Sequence, residues 1–378
     1  MYIAAYDENR NHIANVTDVT YELTERVYDP DGFSAVGRAD DDIAAAKILV
    51  LCDEAGNYIY SCFADGVTPE HGTRQIKGLD FKTLFDMEVL IDYTQPGAFD
   101  GQLSAIFRKV TGLVLNSPDA AVRKIPVELI IPEDGTPTTG MFGTLQGEYL
   151  IKNAYEFLKG YLKFYEYNVE ARYSEPRGAI VISFVKCAAS VDITLADFVH
   201  ELQTASDAVN KTVAVVQYSP DVKTDDETGE KYAEDENGNR VPVPPRPDTL
   251  ATAYYYRDKG NNIVRGDAAG NIPDRLYPVR QKIFESEFLA DAQFDAVYEL
   301  ANARYVDNII LDHNKIIDPI DLSGLALYTK MNVYHGGGFY KTLPVSEKIT
   351  AADANGVNIK IKLGFKKILL TEIIKGGK

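Results

Sequence analysis

The chain contains no tryptophan, three cysteines and five histidines among its 378 residues. Cys52, Cys62 and Cys187 are too few and too scattered for a disulfide framework, and free core thiols are the expectation. Cys52 and Cys62 flank a turn at Glu54-Ala55-Gly56-Asn57, and counting outward from that turn they do not face each other. His12, His71, His200 and His313 form no His-Glu-x-x-His or Cys/His cluster, so zinc chemistry has no support. No run of about 18 apolar residues occurs, and the N-terminus lacks a basic-then-apolar leader pattern. The expectation is a chain made in the cytoplasm and kept there or assembled into something else. Basic charge is also short: 39 Lys and Arg against 56 Asp and Glu give a formal charge of −17, which argues against a nucleic-acid reader.

Apolar residues at 45% and charged residues at 25% suit a globular protein, and the length predicts two or three domains. The 24 tyrosines lean toward strands and interfaces.

Strand signals dominate residues 2–93: Tyr2–Tyr6, an Asp7–Asn11 turn, alternation through Val19, Tyr21 and Leu23, an Asp29-Pro30-Asp31-Gly32 turn, and the hairpin at 54–57. Residues 73–91 follow as a strand broken at Gly78, a single helical turn capped by Asp80 and carrying Phe81, Leu84 and Phe85, and a closing strand. This stretch is expected to plug the end of a β-barrel. From Tyr93 the periodicity changes. Leu103, Ile106, Phe107 and Val110 predict a short helix, and Leu150 through Leu162 predict the longest one, leading into a hairpin turning at Ser174–Gly178. Thr194 is expected to cap a helix over Leu195–Leu202.

The expected division is a first β-barrel domain at 1–94 and an α+β domain at 95–186. A second barrel comes from 187–218 and 252–378, with a helical insertion at about 287–305, and 219–251 form a polar protruding hairpin or mobile loop.

Asp235-Glu236-Asn237-Gly238 fails as a calcium loop, because Ala233 and Pro244 fall where carboxylates are needed. His335-Gly336-Gly337-Gly338 has no Gly-x-Ser-x-Gly elbow to accompany it and reads as a hairpin loop. No phosphate-binding glycine motif is present. Glycosidase carboxylate pairs are a spatial signal that the sequence does not carry. No catalytic, cofactor-binding or metal-binding residue is assigned.

The order of these pieces resembles the bacteriophage tail hub family, which includes the contractile-tail baseplate hub and the structural N-terminal module of siphophage tail-associated lysins. The resemblance rests on Glu22–Gly37 followed by Gly78–Phe85, on the helix from about 146 to 164, and on Val213–Tyr218 with Ala253–Gly260 and Arg275–Arg280. Leu343–Ile349 through Asn355-Gly356 to Leu363–Phe365 complete it.

It implies a β-rich α+β fold of two similar β-barrels with an α+β domain between them, assembling as a pseudo-sixfold homotrimer ring. The implied role is structural and non-enzymatic. Such a hub closes the distal end of the tail tube, opens for DNA or the tape-measure protein, and contacts the distal tail ring and receptor-binding proteins. An acidic lumen would repel passing phosphates. The implied location is the virion tail tip, assembled in the host cytoplasm. The alternatives are a tail-associated cell-wall hydrolase and a carbohydrate- or receptor-binding tail component. The chain ends at Lys378, just after the second barrel, with no peptidase or glycosidase module, which weighs against the lytic alternative.

Overall fold

The computed structural model describes residues 1–39, 43–70, 72–92, 101–116, 124–138, 149–187, 189–195, 198–203, 213–218, 222–225, 227–234, 239–242, 251–257, 263–265, 281–286, 295–296, 300, 308–312, 321–354 and 356–365. Its first unit is six strands: β1 (Tyr2–Tyr6), β2 (His12–Arg26), β3 (Gly32–Arg38), β4 (Ile48–Cys52), β5 (Tyr58–Glu70) and β6 (Thr73–Leu79). They pair in the order β1-β4-β5-β6-β3-β2, all antiparallel, and β2 returns to β1 through Ile3–Val16 and Ala5–Ala14, which closes a barrel. Alternation sorts its wall into two faces. Ile3 and Ala5 join Leu23, Phe33, Leu51 and Ile76 inside, while Ala4 and Tyr6 point outward into a different core.

Tight aspartate turns set the hairpins. The Asp7 carboxylate accepts from the amides of Asn9 and Asn11 (both 2.8 Å), and the Asp53 carboxylate accepts from the Asn57 amide at 2.7 Å. Gly78 does not break its strand, as the sequence suggested, but sits inside β6. A Cβ there would stand 2.2 Å from Cys62 Sγ and 2.9 Å from a Phe33 ring carbon, so the glycine permits close packing across the barrel.

The helical turn, Phe81–Phe85, is a 3-10 turn whose cap is as expected: Asp80 accepts from the Lys82 amide at 3.0 Å. Its place differs from the expected plug. Phe81 and Phe85 belong to the core outside the barrel wall, with Ala4, Tyr6 and Ile48, so the turn fastens the next unit to the barrel's flank.

That unit contains β7 (Glu88–Asp92), α1 (Leu103–Leu115), β8 (Val127–Ile130), β9 (Tyr149–Asn153), α2 (Ala154–Tyr165), β10 (Tyr167–Ser174) and β11 (Ala179–Lys186). The sheet β10-β11-β8 packs against both helices. The long helix starts later than its periodicity suggested. Residues 149–153 pair with β7 instead, leaving Ile151 69% exposed, and Asn153 caps α2 by accepting from the amides of Tyr155 and Glu156 (3.0 and 3.1 Å).

β12 (Ser190–Thr194) and β13 (Val199–Gln203) come next. Residues 199–202, expected within a helix over Leu195–Leu202, belong to the strand β13 instead. A turn with the Phe198 amide donating to the Leu195 carbonyl (3.2 Å) buries both side chains, and β13 then pairs with residues 308–312. Two helical steps of apolar spacing are too short a signal to outweigh that ladder.

A four-stranded sheet follows from β14 (Val213–Tyr218), β18 (Ala251–Arg257), β19 (Ile263–Arg265) and β20 (Gln281–Ser286). Between β14 and β18, in the segment expected as a loop or hairpin, stand β15 (Val222–Thr224), β16 (Lys231–Glu234) and β17 (Arg240–Pro242), which form a three-stranded meander. The Asp235–Gly238 tip, the prolines at 243–247, the 258–261 turn, Arg275–Arg280, His71, His313 and most of the 287–305 insertion lie outside the described residues; Asp295, Ala296 and Leu300 are helical.

β21 (Asn308–Asp312), β22 (Lys330–His335), β23 (Gly338–Asp353) and β24 (Gly356–Leu363) complete the chain. With β12 and β13 they form the order β12-β22-β23-β24-β21-β13 around one core that includes Ile193, Leu311, Met331 and Ile361. Substituting first strand for first strand, second for second and so on, this is the order of the closed barrel. Two differences separate the units: β12 runs parallel to β22 where β1 runs antiparallel to β4, and β12 and β13 share no ladder among the described residues. Gly336 and Gly337 take φ of 60° and 83° in the tight β22–β23 turn, as the hairpin reading of that glycine run requires.

Candidate functional site: the joint between the two strand units

Ten strands form one path through both units because β2 pairs with β23, from Tyr21–Ala352 to Arg26–Glu347. Both strands are long enough to serve two neighbours in succession. β2 pairs with β1 over His12–Val16 and then with β23; β23 pairs with β22 over Gly338–Pro344 and then with β2. Charge pairs flank the ladder, Arg26 Nε to Glu347 Oε2 at 3.2 Å and Lys348 Nζ to Glu25 Oε2 at 2.9 Å. The chain leaves β2 with the Val27 amide donating to the Ser346 carbonyl at 3.1 Å. Tyr28 then packs on Tyr328 and Phe365 from the second unit (ring centroids 6.0 and 5.2 Å apart).

Under the turn after β2 lies a buried ionic cluster. Lys82, from the 3-10 turn, extends beneath it and is 2% exposed. Its ammonium donates to the carbonyls of Arg26 (2.9 Å) and Asp29 (3.2 Å) and to Asp31 Oδ1 (2.8 Å), and lies 3.2 Å from Asp80 Oδ2. Asp31 in turn accepts from the Arg26 amide, and the Asp31 amide donates to Asp80, at 2.8 and 2.7 Å. Burial pushes the Asp31 carboxyl up to about 7, against the pull of Lys82 and with the push of Asp80. Burial acts to lower the Lys82 ammonium, but Asp31 and Asp80 outweigh it, and the group is held above its ordinary value.

The third unit joins the same place. Lys159 of α2 pairs with Asp29 at 3.0 Å and with Glu156 at 2.7 Å, and Lys330 of β22 pairs with Glu166 at 2.6 Å. The arrangement fixes the relative orientation of both strand units and the helical one. Its buried groups are turned toward each other.

No site residue was assigned from sequence, and the joint was missed as well. The one local hint was Asp80, expected as a cap, whose second oxygen serves the cluster. Among the described residues no group of three or more His, Cys, Asp or Glu side chains is placed to hold a metal, and no helix is long and apolar enough to cross a membrane. Cys52 and Cys62 are buried and unpaired in register, Cys52 opposite Tyr58 and Cys62 opposite Leu49.

No family model matches the sequence, and no curated protein matches it. Solved structures do match over nearly the whole chain. The 43 kDa tail protein of prophage MuSo2 from Shewanella oneidensis is 10% identical with a TM-score of 0.52, covering 96% of this chain and 98% of its own. A tail protein from Neisseria meningitidis is 9% identical with a TM-score of 0.50, over 96% of each chain. Prophage tail protein gp18 from Listeria monocytogenes is 11% identical with a TM-score of 0.50, over 99% of this chain and 98% of its own. The chain therefore has the fold of phage tail proteins, β-rich with a closed six-stranded barrel.

Proposed function

We propose that this protein is a non-enzymatic hub of a phage tail tip. It assembles as a homotrimer, closes the distal end of the tail tube and opens for DNA or the tape-measure protein. The observation that carries this reading is the pair of six-stranded units with one strand order, fused edge to edge through β2 and β23 in a single chain. A chain carrying two such units lets three copies present six, which suits the end of a sixfold tube. The division into 1–94, 95–186 and a second barrel from 187–218 and 252–378 belongs to the same proposal. The meander β15–β17 is the part that reaches toward distal-tail or receptor-binding partners, and the −17 formal charge suits a passage that phosphates traverse without lodging.

A reconstruction of the parent particle tests this. Threefold density for the chain at the tube's end is expected; density elsewhere in the virion, or another symmetry, overturns it. Release of muropeptides from host cell walls by the purified chain, abolished by one carboxylate substitution, would overturn the non-enzymatic part.

A further inference from the structure

The two strand units share one strand order and correspond on the rungs next to their closing hairpins, and the joint uses only half of the edges that this correspondence creates. Each unit ends in a hairpin, closed by the pairs Glu70–Thr73 in the first and Asp353–Gly356 in the second. Lys77 and Lys360 each stand four residues beyond that closing pair. The rung through Lys77 runs Glu22–Ser34–Lys77–Gly66, and the rung through Lys360 runs Val199–Asp312–Lys360–Ile349. So β13 corresponds to the half of β2 that makes the joint, and the end of β5 corresponds to the half of β23 that receives it.

Among the described residues, one of the two possible joints is formed. β2 of the first unit meets β23 of the second. The reciprocal edges are left over: β13 pairs on one side only, with β21, and β5 beyond Ala64 pairs on one side only, with β6, among the described residues. Among the described residues, the last backbone hydrogen bond on the other side of β5 is the Ala64 amide on the Lys47 carbonyl at 3.0 Å. Asp65, Thr68 and Pro69 are exposed there. An open strand edge of this kind is a template for another strand.

The geometry points to β13 of one copy of this chain pairing antiparallel with residues 65–68 of β5 in the next copy, repeating between subunits the joint that β2 and β23 make within one. The internal register dictates the external one. Glu22 faces Ala351 and Thr24 faces Ile349 in the joint, so Val199 is to face Thr68 of the next copy, and Glu201 its Gly66. This register starts both strands together: β13 begins at Val199, and Pro69, which has no amide to donate, lies just past Thr68. The contact joins two different edges, so it propagates head to tail, giving a ring where the rotation between copies closes and a filament where it does not. It deepens the ring reading above and rests on it for the closure at three copies.

The test is disulfide trapping in the full chain. Directly opposed strand residues fall within the Cα separation of about 4.4–6.8 Å that a disulfide spans. Thr68→Cys with Val199→Cys is expected to give, on mild oxidation, covalent oligomers ending at a closed trimer. Their yield should exceed roughly tenfold that of the out-of-register pair Thr68→Cys with Leu202→Cys, given the narrow geometry a disulfide demands. Gly66→Cys with Glu201→Cys provides a second pair, since a Cβ at Gly66 meets nothing within 4 Å. Single-cysteine chains control for the native thiols. Oligomers by light scattering with neither pair trapped would overturn the β13–β5 junction and leave the ring reading standing. A chain that stays monomeric at every concentration, with neither pair trapped, would overturn both.

Discussion

Lys82 Nζ stands 2.8 Å from Asp31 Oδ1 and 3.2 Å from Asp80 Oδ2, so that one buried ammonium holds two carboxylates. The cluster joins the 3-10 turn to the turn after β2, and that turn carries the chain to the joint with β23. Its groups are therefore placed to report on the joint's integrity.

Removing the cation leaves both carboxylates without it. Lys82→Met is expected to destabilise the protein by about 3–5 kcal/mol, the usual cost of breaking a buried ion pair from one side. Adding Asp31→Asn should return part of that loss. Urea denaturation measures both; a loss below about 1 kcal/mol for the single variant would mean that water reaches the cluster.

Asp31 sets a pH dependence of unusual sign. Its carboxyl is raised to about 7 in the folded chain, against about 3.9 for an unfolded aspartate. Between these values the folded chain holds a proton that the unfolded chain has released. The Asp31 contribution is thus complete below about pH 4 and is lost as the pH rises through 7. Asp31→Asn should flatten the stability profile between about pH 4 and 7; an unchanged slope would sink the assignment.

Asp134 acts in the opposite sense. It accepts hydrogen bonds from Thr136, from the Tyr167 hydroxyl (2.6 Å) and from Lys186 (3.0 Å), and these hold its carboxyl below the ordinary aspartate value despite the opposing effect of burial. Its contribution is present above the unfolded value of about 3.9 and fades as the pH falls through the folded one. Asp134→Asn should therefore reduce stability at neutral pH and lessen the loss on acidification below about pH 4, read from thermal melts.

Gly78→Ala should cost about 1–3 kcal/mol, the penalty of overpacking, because its Cβ collides with Cys62 Sγ. Cys62→Ala in the same chain removes the nearer obstacle and should recover part of the loss. A neutral single variant would show that the barrel core yields there.

Ser61→Ala tests how the barrel holds the α+β unit. Ser61 Oγ accepts from the buried Tyr173 amide at 2.8 Å, and losing it orphans that amide at about 1–3 kcal/mol. Hydrogen exchange at Tyr173 should speed up by at least the same free energy, whereas unchanged exchange would mean another acceptor takes over.

The sequence determined what neighbours along the chain can settle. Asp7 and Asp53 fold their turns through amides within four residues, Asp80 caps the 3-10 turn two residues on, and the alternation from Val19 to Leu23 marks an inward face that is buried in the barrel. Helix α1 was legible for the same reason. The tertiary structure decided everything that needed a distant partner. Residues 149–153 and 199–203 became strands because β7 and β21 offered ladders, and Gly78 proved to be a contact with Cys62 and Phe33. Lys82, an ordinary surface residue by type, was drawn under a turn some fifty positions away. The joint is the extreme case: Arg26 meets Glu347 across 321 residues, and a ladder of backbone hydrogen bonds at that separation leaves no period, cap or turn residue in the sequence to announce it.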